Sequence, residues 1–332
     1  MENPMNRIQV ATAGEALIDL IAQSDGRFEA CLGGAVYNLT RALARQGIGT
    51  LYLNPLSGDR FGRQLARALL DEGVQLARME PVPQATSLAV VALTADGHPD
   101  YAFYREQVAD RAVDAPGMAR ACAVQGNLSV VCTGALALAA ADAGSYLPWL
   151  HAQRAAGRLV VVDANLRPSV MPDLAAYRRN VHDALQLADI IKVSDEDLVH
   201  LGQSGESAQA QAGRLLAGSR AALLVLTLGG AGACLLARDG RGWRAREAQP
   251  LAVVDTVGAG DSFLAGLLAA LLRSGQAGRE AVQALDDASC RRVLAHALAS
   301  ASLCVMQRGC VPPNWEQVCE RVRQSPALIE SP

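Results

Sequence analysis

Four short segments, LSVVCTG (128–134), RLVVVDAN (158–165), DIIKVS (189–194) and AALLVLTLGG (221–230), carry apolar residues at consecutive positions rather than alternate ones. A strand with one wet face alternates, whereas a strand apolar on both faces must be covered on both. Helical stretches such as YLPWLHAQRAAG (146–157) and YRRNVHDALQLA (177–188) lie between them. Nearer the start, IQVATAG (8–14) reads as a strand, and NLTRALARQG (38–47) and FGRQLARALLDEG (61–73) as helices stopped by Gly47 and Gly73. This alternation implies an α/β three-layer sandwich, with helices on both faces of a mainly parallel central sheet and right-handed crossovers. With 332 residues, 51% of them apolar, the chain can fill such a core.

Two segments break the rhythm. FEACLGG (28–34) precedes the first helix, and TSLAVVALTADGHPDYAFYRE (86–106) holds two alternating stretches around Asp96-Gly97, a hairpin signal. Neither has a crossover helix, so both are expected in a small β-sheet lid built from about 14–35 and 85–112, on a single domain covering 1–332. The last helices are expected at about 280–306 and 315–323, and the tail QSPALIESP (324–332) is expected to fray.

Charge and cysteine usage exclude several function classes. A net charge of −3, with basic residues scattered, does not suit a protein that gains affinity by neutralising nucleic-acid phosphates. Eight cysteines occur without a CxxC pair, several inside apolar runs, which fits reduced buried thiols. The start lacks an apolar signal core, and no apolar run is long enough to cross a bilayer. A cytoplasmic protein with no membrane partner is expected. The five histidines show no metal-ligand spacing.

The segment DTVGAGDSFLAGLLAALL (255–272) puts small residues directly before a long apolar helix. Small residues there let backbone N–H groups converge, and the helix N-terminus adds partial positive charge, which together suit a phosphoryl group. Asp261 falls in the first turn, where it can take a proton from a neighbouring hydroxyl. A carboxylate favoured only by the helix dipole is the plainer alternative. No GxxxxGK[ST] motif is present, and no GxGxxG follows the first strand, which argues against a dinucleotide oxidoreductase.

The same segment resembles the C-terminal signature of the ribokinase-like (PfkB) carbohydrate kinases, and CLGGAVYNLTRALARQG (31–47) resembles their N-terminal Gly-Gly signature. VVDANLRP (161–168), IIKVSDEDL (190–198) and LTLGGAG (226–232) match intermediate blocks in order. GEALIDL (14–20), GDRFG (58–62) and FYREQVAD (103–110) look most like the fructokinase branch. The likeness runs from about residue 8 to 315.

It implies transfer of the ATP γ-phosphoryl group to a sugar hydroxyl, with Mg²⁺ on the phosphates. Asp261 would be the base, and the backbone of Gly258, Ala259 and Gly260 the anion hole. Asp19, Gly33, Gly34, Asn38, Arg105 and Arg167 would meet the sugar. For these the plainer readings are a turn or cap for Asp19, a helix cap for Asn38, a solvated edge residue for Arg105, and a pair with Asp163 for Arg167. Asn165, Lys192, Ser194, Asp197, Thr227, Gly229 and Gly232 would line the nucleotide, with a surface role for Lys192 and a helix start for Asp197 as alternatives. The family usually has a Glu where Asp197 stands, which shortens any reach toward Mg²⁺. Val36 and Tyr37 replace the Pro and Ala common before the signature Asn. Asp255 and the carbonyls of Val257, Cys304 and Gly309 match a monovalent-cation site, with K⁺ as the ion.

The expected activity is phosphorylation of fructose to fructose 6-phosphate. The alternatives are a 2-keto-3-deoxygluconate, ribose or nucleoside kinase, or a catalytically silent sugar-binding protein of the same fold. Free lid edges suggest a homodimer.

Overall fold

A computed structural model describes residues 7–23, 25–93, 99–203, 205 and 207–331. The Asp96-Gly97 turn lies outside the described residues. The chain starts with β1 (Val10–Ala13), β2 (Leu17–Ala22) and β3 (Phe28–Gly33), followed by α1 (Ala35–Arg45), β4 (Thr50–Tyr52), α2 (Arg60–Asp71) and β5 (Gln75–Leu76). Next come β6 (Ser87–Leu93), β7 (Pro99–Tyr104), α3 (Ala115–Ala123), β8 (Val130–Gly134), α4 (Ala143–Ala155) and β9 (Leu159–Asp163). Then follow α5 (Leu174–Leu187), β10 (Ile190–Ser194), α6 (Asp195–His200), α7 (Ala208–Ala217), β11 (Leu223–Thr227), β12 (Ala233–Ala237) and β13 (Gly242–Arg246). The chain closes with α8 (Ala259–Arg273), α9 (Arg279–Gln283), α10 (Asp287–Val305), α11 (Trp315–Gln324) and β14 (Leu328–Glu330).

The large sheet has the order β14-β13-β12-β11-β10-β9-β8-β1-β4-β5. It is parallel from β11 to β5 and antiparallel from β11 to β14. Consecutive apolar residues on its central strands feed two cores. Val131, Val160, Val162, Ile191, Val193, Leu224 and Leu226 pack on one face. Val130, Leu159, Val161, Ile190, Leu223 and Val225 pack on the other with α8 and α10. Alternate side chains thus point to opposite covered faces, as the unbroken apolar runs require.

A separate four-stranded sheet has the order β3-β2-β6-β7. Ile18, Leu20, Leu32 and Leu88 join Tyr37 and Tyr52 in one cluster. Leu17, Ala89 and Phe103 pack with Leu136, Val170 and Met171 in another.

Two expectations near the C-terminus are corrected. The span 280–306 is two helices, because the Asp286 side chain accepts from Ser289 N at 2.7 Å and starts α10 afresh. The tail does not fray at 328–330: β14 pairs antiparallel with β13, and Arg291 reaches the Ile329 carbonyl at 2.9 Å.

Candidate active site

The parallel strands point their C-terminal ends at one edge, where open α/β sheets collect ligands. At the end of β1, Asn54 Oδ1 accepts from Gly14 N at 2.8 Å and Tyr52 OH donates to Gly14 O at 2.7 Å. This turns the chain out into the small sheet and buries Glu15. Glu15 Oε1 accepts from Ala35 N at 2.9 Å, capping α1 from twenty residues away, since its N-cap, Gly34, has no side chain to offer. Glu15 Oε2 is buried without a partner, and burial pushes the carboxyl up to about 7 against the pull of Arg105. Nothing in the sequence pattern assigns Glu15 a role; the one signal is the Gly N-cap, which offers no side-chain acceptor of its own.

Asp261 lies in the first turn of α8 and is 7% exposed. Its surroundings are polar rather than dry: Asn38 Nδ2 donates to Oδ2 at 3.1 Å, and Lys192, Asp163 and Glu15 act on its charge. Burial first, then Asp163, raises its pKa to about 7, while Lys192 and Asn38 oppose the rise. Asn38 therefore does not cap its helix; it faces α8. Gly258 starts the turn at φ +75, a left-handed conformation that a side chain resists. Helix geometry leaves the Gly260 and Asp261 amides without an intrahelical acceptor. The Ala259 amide already donates to Thr256 O at 3.2 Å and reaches an anion only by giving up that bond.

Lys192 is buried, not on the surface. The β9–β10 register sets it opposite Asp163, and its Nζ lies 2.8 Å from both carboxylate oxygens. A Cβ on Gly260 would come 3.2 Å from Nζ, so the ammonium sits under the α8 turn. Asp163 is thus committed to Lys192, and Arg167 instead donates to the Asn165 and Leu166 carbonyls. Ser194 and Asp197 form a reciprocal capping box at the start of α6, and the second Asp197 oxygen accepts from Leu166 N at 2.7 Å. Both oxygens of Asp197 are engaged inside the protein.

On the small sheet, the Asp19 carboxylate folds over Gly33, where a Cβ would fall 2.0 Å from Oδ2. Burial pushes Asp19 up to about 6, and Arg167 pulls it back. Arg105 is neither solvated nor free: it pairs with Asp110 at 2.9 Å and reaches Leu136 O at 3.3 Å. Phe103, Arg105, Leu136, Val170 and Met171 line a groove of about 480 Å³.

Thr227 closes β11 with a 3.4 Å bond to Val193 O, and Gly229 and Gly232 follow with positive φ. Asp255 accepts from Val257 N at 3.0 Å and Gly309 N at 2.9 Å. The Cys304 and Gly309 carbonyls accept from Gln307 N and Val311 N, both at 3.0 Å. These are oxygen donors of the kind a hard cation takes. Glu29 on β3 pairs with Arg308, which joins the small sheet to the loop that carries Gly309 and Cys310.

Comparison with known proteins identifies the family and the fold. Residues 7–317 match the pfkB family carbohydrate kinase profile. A fructokinase of Rhizobium leguminosarum bv. trifolii is 31% identical over 289 residues, 85% of each chain. Fructokinase of Xylella fastidiosa with bound ATP superposes with a TM-score of 0.84 at 26% identity, covering 96% of this chain and 99% of that one. Fructokinase of Vibrio cholerae O395, bound to fructose, ADP and calcium, gives 0.77 at 25% identity over 95% and 99%. Among the described residues no helix is long and apolar enough to cross a membrane.

Proposed function

The chain belongs to the pfkB family of carbohydrate kinases, ATP-dependent phosphotransferases acting on a sugar hydroxyl, and we propose that its acceptor is fructose, converted to fructose 6-phosphate. The Asn38–Asp261 contact carries the reading, since it joins both signature segments at one carboxylate. Asp261, with a pKa near the working pH, accepts the hydroxyl proton as the oxygen attacks phosphorus. The free amides of the α8 turn and the Lys192 ammonium stabilise the charge that develops on the phosphoryl oxygens. Asp19 and Arg167 orient the sugar over Gly33 and Gly34.

Mg²⁺ would supply further charge neutralisation. Asp163 and Asp197 are already engaged, so it would arrive on the ATP phosphates rather than in a protein cage. Asp255 with the carbonyls of Val257, Cys304 and Gly309 would hold K⁺ and stiffen the turn.

A neutral sugar is favoured over 2-keto-3-deoxygluconate. Arg105 is spent on Asp110, which leaves Arg167 alone for a substrate carboxylate, and Asp19 already competes for that guanidinium. ADP release with fructose, ribose, ketodeoxygluconate and ribosides tests this. Fructose should lead in kcat/KM by about tenfold or more; a preference for the acid would overturn the assignment. The small sheet ends in the edge strands β3 and β7, with Phe28 and Tyr104 exposed, and pairing of two such sheets would give a homodimer. Light scattering that finds monomer alone would remove that part.

A further inference from the structure

Two thiols converge on the peptide unit that opens the α8 turn. Cys304, buried in the last turn of α10, donates its S–H to Val257 O at 3.6 Å. Cys310 is half-buried beyond the bend at Gly309, and its sulfur stands over Gly258, where a Cβ would lie 2.2 Å from it. Each thiol acts on the ionisation of the other, Cys310 pulling Cys304 down and Cys304 pushing Cys310 up, as neighbouring sulfurs do. Packing alone explains a single buried thiol. A mutual pair astride consecutive residues of a phosphate-binding turn has a chemical consequence as well.

We propose that Cys304 and Cys310 are a modification site for hydroperoxides, closing to a disulfide that disables the α8 turn; its effect on turnover rests on the phosphate role given to that turn above. One sulfur attacks the terminal oxygen of the peroxide O–O bond, forming a sulfenic acid and releasing water from hydrogen peroxide or the alcohol from an alkyl hydroperoxide. The second sulfur then displaces the sulfenic oxygen as water, and the S–S bond forms. Two thiols are oxidised, one peroxide is reduced by two electrons, and the two thiol protons leave in the released alcohol or water and in the water of the second step. The bond draws the sulfurs to about 2.05 Å. It also removes the only hydrogen Cys304 can give to Val257 O, and it pulls Cys310 away from Gly258. The turn then loses its clamp on both sides. A thiol reductant reverses the change by exchange.

The test treats the full-length protein, without nucleotide, with hydrogen peroxide. Peptide mapping should show a 304–310 disulfide, lighter by two hydrogens. Turnover should fall on the order of 10² and return with dithiothreitol, whereas Cys310→Ser and Cys304→Ala, each measured against its own untreated rate, should show no further loss on peroxide treatment. Amide hydrogen exchange across 256–262 should speed up in the oxidised form, a readout that does not depend on the substrate assignment. The proposal is overturned if both thiols stay titratable while turnover falls. It is equally overturned if the disulfide forms and neither turnover nor exchange changes.

Discussion

Asn38 Nδ2 donates a 3.1 Å hydrogen bond to Asp261 Oδ2, linking helices whose residues stand 223 positions apart. The amide both aims the carboxylate and favours its charged form, against a site whose burial favours the neutral one.

Asp261→Asn should cut kcat by about 10²–10⁴ and leave fructose binding measurable by calorimetry. The variant should also melt higher than the wild type at pH 8. The folded carboxyl has a pKa near 7 against 3.8 unfolded, so its stabilising share is full below about pH 4 and is lost as pH rises through 7. Near-normal turnover would show that another group takes the proton.

The pH profile of kcat/KM should rise with unit slope and level off above about 7, as Asp261 loses its proton. Asn38→Ala removes a bond to the charged form, so the acid limb should move to higher pH. A limb unchanged in the variant would separate Asn38 from the ionisation.

Lys192→Met leaves Asp163 buried and unpaired, and should destabilise the fold by about 3–5 kcal/mol in urea titration. The double variant with Asp163→Asn should recover much of that loss. Equal instability of the single and double variants would mean the pair does not hold β9 to β10.

Gly33→Ala drives a methyl group into the Asp19 carboxylate. Steady-state kinetics should show KM for the sugar raised about tenfold and KM for ATP little changed. An equal rise in both would place Asp19 outside the sugar pocket.

The parallel core was legible because strands covered on both faces leave unbroken apolar runs, as in Leu159–Asp163. The Asp261 turn was legible as small residues before an apolar helix, but its reading as an anion hole came from the family resemblance, because a tight turn before a dipole-favoured Asp leaves the same pattern. The partner of Lys192 was not, because a strand register decides it and registers leave no mark on one segment alone. The capping box at Ser194 and Asp197 could have been read from its spacing. β14 escaped notice since three residues, two of them exposed, carry no period, and its support comes from Arg291 and β13.

Arg308 pairs with Glu29 while Gly309 holds Asp255 and Cys310 covers Gly258, so three adjacent residues bind the small sheet to the ground on which phosphate would rest. The outer tie is a solvent-exposed ion pair, worth at most about 1 kcal/mol and weakened by salt. A tie that weak does not anchor the sheet, which rests instead on the apolar contacts around Tyr37 and Leu136; what the ion pair adds is a direct connection, tunable by salt, between the sugar side and the phosphate side.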